Sequence, residues 1–251
     1  MTVARSLKKL GIDIHTSTRV EGIERSDAKV TVRTSGDKGA QEFTGDVCLV
    51  AIGFAANLAD WGFEHTGVAV ERGFIKVDSN YRTSTPGYYA IGDVIGPPQL
   101  AHVASHEGIV CVEAIAGKKP HVVDYSNVPS CTYCQPQVAS VGYTEQKLKE
   151  LGMAYRVGKF PFMASGKANA IGHADGYVKL LFNERDDTLL GAHIVGSEAT
   201  EMIAELCLAK KMKATAADIY DTIHAHPTLT EAVMEAAAAA HGHAIHYLGR
   251  A

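Results

Sequence analysis

The chain has 251 residues, 46% hydrophobic and 21% charged, with a formal net charge of −4, which is enough for one to three compact units. The acidic balance, with basic residues scattered among acidic ones, excludes an electrostatic footprint for nucleic acid, and no apolar run reaches the length of a membrane span. Five cysteines and no signal-peptide pattern point to a reducing compartment, so the sequence reads as a soluble cytoplasmic protein.

In chain order, residues 5–10 read as the end of a helix stopped by Gly11. Short alternating segments at 12–15, 20–23, 29–33 and 42–44 read as strands. Asp46-Val47-Cys48-Leu49-Val50-Ala51-Ile52-Gly53 is a nearly continuous apolar run closed by glycine. Such a run predicts a buried parallel strand whose end faces a ligand crevice. A helix feeding strands at the outset predicts that residues 1–57 are the back half of a domain.

A second segment, 58–125, holds another expected buried strand, Tyr88-Tyr89-Ala90-Ile91-Gly92-Asp93. The turn Gly96-Pro97-Pro98 and a helix over 101–116 follow, then a linker over 120–127. Segment 126–251 mixes strands (137–141, 155–160, 177–182, 189–195) with helices (144–151, 198–211, 230–240), an α+β pattern. The alanine run 236–240 reads as strong helix former.

Two places carry candidate chemistry. In His224-Ala225-His226-Pro227-Thr228-Leu229-Thr230-Glu231, a histidine able to exchange protons near neutral pH precedes a proline, with a carboxylate five residues on. Glu231 either orients His226 as a proton acceptor or closes a capping box with Thr228; spacing alone leaves both open. Asp93 ends an expected strand where a carboxylate can accept hydrogen bonds from a polyol, although aspartates also serve turns. The helix expected after Gln99-Leu100-Ala101-His102 would turn its positive end toward negative charge. Cys131-Thr132-Tyr133-Cys134 is read as packing rather than a redox pair, since a strand and not a helix follows it. No cysteine or histidine set has zinc spacing, so no metal is expected.

The histidine string resembles the C-terminal signature of the flavoprotein disulfide reductases (the class I pyridine nucleotide-disulfide oxidoreductases), and fits their lipoamide branch better than the glutathione reductases. Residues 81–108 resemble the second flavin motif of the same family. The resemblance implies FAD and NAD as cofactors, with His226 as general acid/base, Glu231 as its orienter and a cis His226–Pro227 bond. It implies that Asp93 holds the ribityl chain and that Gln99, Leu100, Ala101 and His102 face the flavin ring. Gly53 matches the glycine that approaches NAD.

The implied fold joins α/β and α+β parts. These are a remnant of a doubly wound nucleotide-binding domain (1–57), the second part of a flavin domain (58–125) and an α+β dimerisation domain (126–251). The implied activity is oxidation of protein-bound dihydrolipoamide with NAD+. The implied partners are a second copy of the chain and the lipoyl domains of 2-oxo-acid dehydrogenase complexes or the glycine cleavage system. Two features of the family are missing: no glycines stand at i and i+2, and no cysteines stand five apart. Neither dinucleotide loop nor the redox disulfide is therefore encoded, and the chain reads as the C-terminal portion of such an enzyme. Alone it is expected to be inactive; the alternatives are another disulfide reductase or a non-catalytic dimerisation module.

Overall fold

A computed structural model describes residues 2–59 and 62–248. Met1 and residues 249–251, at the outer edges of the expected 1–57 and 126–251 segments, lie outside the described residues. The chain divides into two compact units, residues 14–123 and residues 124–251 together with 1–13. Helix α1 (Thr2–Lys9) belongs to the second of these and is amphipathic. Its Lys9 reaches Asp175 at 3.2 Å, an exposed pair of small energetic weight.

In the unit of residues 14–123, three antiparallel strands form a meander in the order β1 (Thr18–Arg25), β2 (Val30–Gly36), β3 (Gln41–Gly45). A small hairpin, β4 (Val70–Glu71) with β5 (Phe74–Ile75), turns through Arg72 and Gly73, both at positive φ. Helix α2 (Ala101–Ile115) follows the Gly96-Pro97-Pro98 turn as expected. Phe63, Ile75 and Ala90 form one small core, and Tyr81, Val110 and Cys111 another.

Three expected strands are corrected here. Residues 12–15 form none, and 88–93 contribute only an isolated bridge, Arg82 to Tyr89, before a 3₁₀ turn (Gly92–Ile95). The run 46–53 is likewise not a buried strand, with Val47, Leu49 and Ile52 all 85% exposed or more. A parallel strand exists only through ladder bonds to neighbours. Among the described residues no strand pairs with 46–53, so its apolar side chains find nothing to bury against.

The second unit carries the principal core. Its five-stranded antiparallel sheet runs β6 (Ser130–Thr132), β7 (Gln137–Gly142), β10 (Leu189–Gly196), β9 (Tyr177–Asn183), β8 (Tyr155–Pro161). Alternation puts Ala139, Val141, Phe160, Val178, Leu180, Phe182, Ala192 and Ile194 on one face. Against them pack α5 (Ala199–Lys211), α6 (Ala216–Asp221) and α7 (Glu231–Ala239). Each fully buried large side chain there contributes roughly 1.5–3 kcal/mol of transfer free energy. Two short helices, α3 (Glu145–Glu150) and α4 (Gly166–Ala170), complete the unit. The α5, α7 and four long strand positions match the sequence reading; α4, α6 and β6 were not foreseen. Helix α6 had a readable signal, the capping box Thr215–Asp218.

The alanines of α7 have a packing purpose. A Cβ placed on Gly158 of β8 would stand 1.9 Å from the Ala236 carbonyl oxygen. Small residues on both elements let helix and strand backbones approach that closely.

Candidate functional site

The loop Thr222–Thr230 carries His226 to the start of α7 through a cis His226–Pro227 peptide. His226 Nδ1 lies 2.9 Å from Glu231 Oε1. The other Glu231 oxygen accepts the Thr228 amide at 2.9 Å. Burial works against ionising Glu231, but the Thr228 amide and the His226 imidazole outweigh it and hold the carboxyl below its ordinary value. An ionised acceptor at Nδ1 requires that nitrogen to carry the proton, which leaves the lone pair on Nε2. The ring is 79% exposed, so Nε2 is open to a reactant.

Glu231 thus serves both readings left open by spacing, orienting His226 and tying the helix start. Thr228 does not complete the box. Its hydroxyl lies 2.6 Å from the Ala225 carbonyl and 2.9 Å from the Thr230 hydroxyl, and Thr230 is the N-cap residue, with no side-chain cap of its own. The hydroxyl is engaged by the loop before it can reach the helix amides.

His224, two residues earlier, anchors this loop. Its side chain is 5% exposed, and Nε2 meets Glu205 of α5 at 2.9 Å while Nδ1 meets the Thr222 carbonyl at 2.8 Å. The ring is thus held between the loop and α5. His224 carries no role in the sequence reading, which singles out His226, because the partner of this anchor, Glu205, lies nineteen residues away on α5.

In the other unit, Asp93 sits exposed in the 3₁₀ turn Gly92–Ile95, and Gly92 adopts φ 71°. Buried Glu107 of α2 accepts the Gly92 amide at 2.7 Å and so pins this turn to the helix. Gln99 donates weakly to the Asp93 carbonyl at 3.5 Å. Leu100 is the N-cap residue of α2 and offers no side-chain cap; Ala101 and His102 form the exposed first turn. An exposed carboxylate beside a helix start without a side-chain cap fits the polyol and ring edge of a flavin. Nothing in the chain fits its pyrophosphate, which needs a glycine loop.

Gly53, at φ 132°, lies on the exposed backbone of 46–53, and apart from its chain neighbours no atom of the described residues comes within 4 Å of where a Cβ would stand. The residues present build no cradle for a pyridine nucleotide.

Cys131 and Cys207 pack against the principal core, and Cys111 sits in a small core of the other unit. Burial raises the Cys131 thiol, with Glu201 adding to it, and pushes Cys207 up to about 11. Cys131 is on β6, and Cys134 donates to the Pro136 carbonyl at 3.1 Å. Among the described residues no three His, Cys, Asp or Glu side chains group as a metal site, and no helix is long and apolar enough to cross a membrane.

Comparison with known proteins matches most of the chain to one family. Residues 1–108 match the model of the pyridine nucleotide-disulphide oxidoreductases, and residues 128–237 match that family's dimerisation domain. A dihydrolipoyl dehydrogenase of Rhizobium etli is 46% identical over 95% of this chain, and one of Bacillus subtilis 44% identical over 96%. Those matches cover 50% and 51% of the relatives, so the chain spans about half their length. Among solved structures, LpdA from Mycobacterium tuberculosis superposes with TM-score 0.85 at 25% identity, over 94% of this chain and 51% of its own. The copper(II) complex of the flavoprotein disulfide reductase RclA from Escherichia coli gives TM-score 0.88 at 25% identity, over 94% and 53%. By its two matched domains and its fold, the chain belongs to the pyridine nucleotide-disulphide oxidoreductase family.

Proposed function

We propose that this chain is the C-terminal portion of an FAD-dependent dihydrolipoyl dehydrogenase, which oxidises protein-bound dihydrolipoamide and passes the electrons to NAD+. The observation that carries the reading is the 2.9 Å contact between His226 Nδ1 and Glu231, which leaves Nε2 exposed as a base. A thiol with pKa near 8.5 attacks a disulfide only as thiolate, so a group must take its proton. His226 takes it at Nε2, and Glu231 stabilises the resulting imidazolium. A bound flavin supplies two-electron transfer between disulfide and nicotinamide. Asp93 would hold its ribityl chain, and the 99–102 segment would face its ring. Gly53 would approach NAD, a role it takes by resemblance alone.

The proposed segments are 1–57 for the nucleotide domain remnant, 58–125 for the flavin portion and 126–251 for the dimerisation domain. The matched dimerisation domain supports a homodimer, in which each subunit lends His226 to the other's disulfide. Lipoyl domains are the partners this substrate implies. The names of the relatives favour the lipoamide reading over glutathione reduction.

The test is lipoamide–NAD turnover by the 251-residue chain alone and by the chain joined behind the first half of the Bacillus subtilis relative. No turnover from the chain alone, with turnover restored in the joined protein, supports the assignment. A joined protein that folds and binds flavin yet turns over no faster than the relative's first half by itself overturns it.

A further inference from the structure

The loop that carries His226 buries little of itself. Of residues 222–227 all but His224 are exposed, Ile223 most of all. The His224 side chain is 5% exposed and lies 2.9 Å from Glu205 and 2.8 Å from the Thr222 carbonyl. The Thr222 contact stays within the loop, whereas Glu205 ties the loop to a packed element. Helix α5 is itself fixed, with Met202, Ile203 and Leu206 buried in the principal core. From His224 the ties run on to the base. The carbonyl of the next residue, Ala225, accepts the Thr228 hydroxyl at 2.6 Å. The Thr228 amide donates to one Glu231 oxygen at 2.9 Å, and the other oxygen lies 2.9 Å from His226 Nδ1.

We propose that Glu205 is a positioning residue for His226: through His224 it fastens the loop to α5 and so keeps the imidazole aligned on Glu231. An exposed loop with few buried side chains gains too little from packing to hold one conformation unaided. A base displaced by about 1 Å can lose roughly a hundredfold in rate, so a tie away from the reacting atoms still reaches the chemistry. The claim rests on reading His226 as the base.

Two readouts test it. One is the His226 ring tautomer in the 251-residue chain, read by ring-nitrogen NMR at about pH 8.5, above the ordinary histidine value. The other is lipoamide–NAD turnover in the joined enzyme. The wild-type ring should carry its proton on Nδ1. Glu205→Ala should raise the Nε2–H share severalfold and lower kcat roughly tenfold, with KM for dihydrolipoamide within about twofold, since only the aim of the base changes. Glu205→Gln should restore both readouts, because an amide can meet Nε2 as donor or as acceptor. His224→Asn keeps a short polar group for the Thr222 carbonyl but cannot reach Glu205, so it should match Glu205→Ala, and it decides alone if Glu205→Ala does not fold. An unmoved tautomer or an unmoved kcat overturns the proposal, and a lower urea midpoint beside either makes the tie structural only. A Glu205→Gln enzyme as slow as Glu205→Ala overturns it too. If His226→Gln also still turns over, the failure lies in the base assignment instead.

Discussion

His193 on β10 shows how one residue sets a pH dependence. Burial lowers its pKa from the ordinary 6.5 to about 4; Lys179 adds to the shift and Glu145 opposes it. Its Nδ1 is a buried side-chain atom that has no hydrogen-bond partner among the described residues. A histidine depressed on folding contributes stability that is complete above 6.5 and lost as pH falls toward about 4, because the unfolded chain takes up the proton first. The melting temperature should therefore fall between pH 7 and pH 4.5, and His193→Gln should flatten that fall in a thermal melt followed by circular dichroism. An equal fall in both proteins would place the dependence elsewhere. Nothing in the sequence marks this histidine, since its burial comes from register with Lys179 and Ser140 on neighbouring strands. His226 and Glu231 were legible because the pair is local, five residues apart. Glu205 was not: in a helix a lone glutamate looks solvated, and its partner His224 lies nineteen residues away.

Among elements, the clearest dependence is between α7 and β8. A Cβ on Gly158 would collide with the Ala236 carbonyl at 1.9 Å, and backbone has no flexible end to move aside. Gly158→Ala should then cost about 1–3 kcal/mol, as overpacking does, and loosen the helix that carries Glu231. Urea unfolding measures this; a midpoint equal to the wild type would mean α7 can shift freely. In sequence the alanine run 236–240 reads only as helix propensity, yet Ala236 and Ala237 are fully buried and their small size admits the strand. Periodicity located four of the five sheet strands and α5 of this unit because their partners lie within the chain. The same reasoning failed for 46–53, where the apolar pattern is present and ladder partners are not.

For the whole molecule, the chain spans about half the length of its relatives, and its parts differ in completeness. The sheet and helices of residues 124–251 bury one continuous core, whereas Val47, Leu49, Ile52 and Phe54 stand exposed. In the proposed reading Asp93 and the 99–102 segment would meet only the polyol and ring of a flavin, and the sequence has no glycine loop for its phosphates. The 251-residue chain should consequently purify colourless and show no saturable FAD binding at micromolar concentrations. A yellow preparation with a bound-flavin spectrum would contradict this.

Whether His226 is the proton-handling group is decided by turnover of His226→Gln in the enzyme joined to the relative's first half. Removal of a general acid/base should lower dihydrolipoamide turnover by roughly two to four orders of magnitude. Glu231→Gln should lose less, since the imidazole stays with weaker orientation. Near-normal turnover in His226→Gln, with Glu231→Gln failing to fold, would make the pair a structural tie at the start of α7 and contradict the catalytic reading.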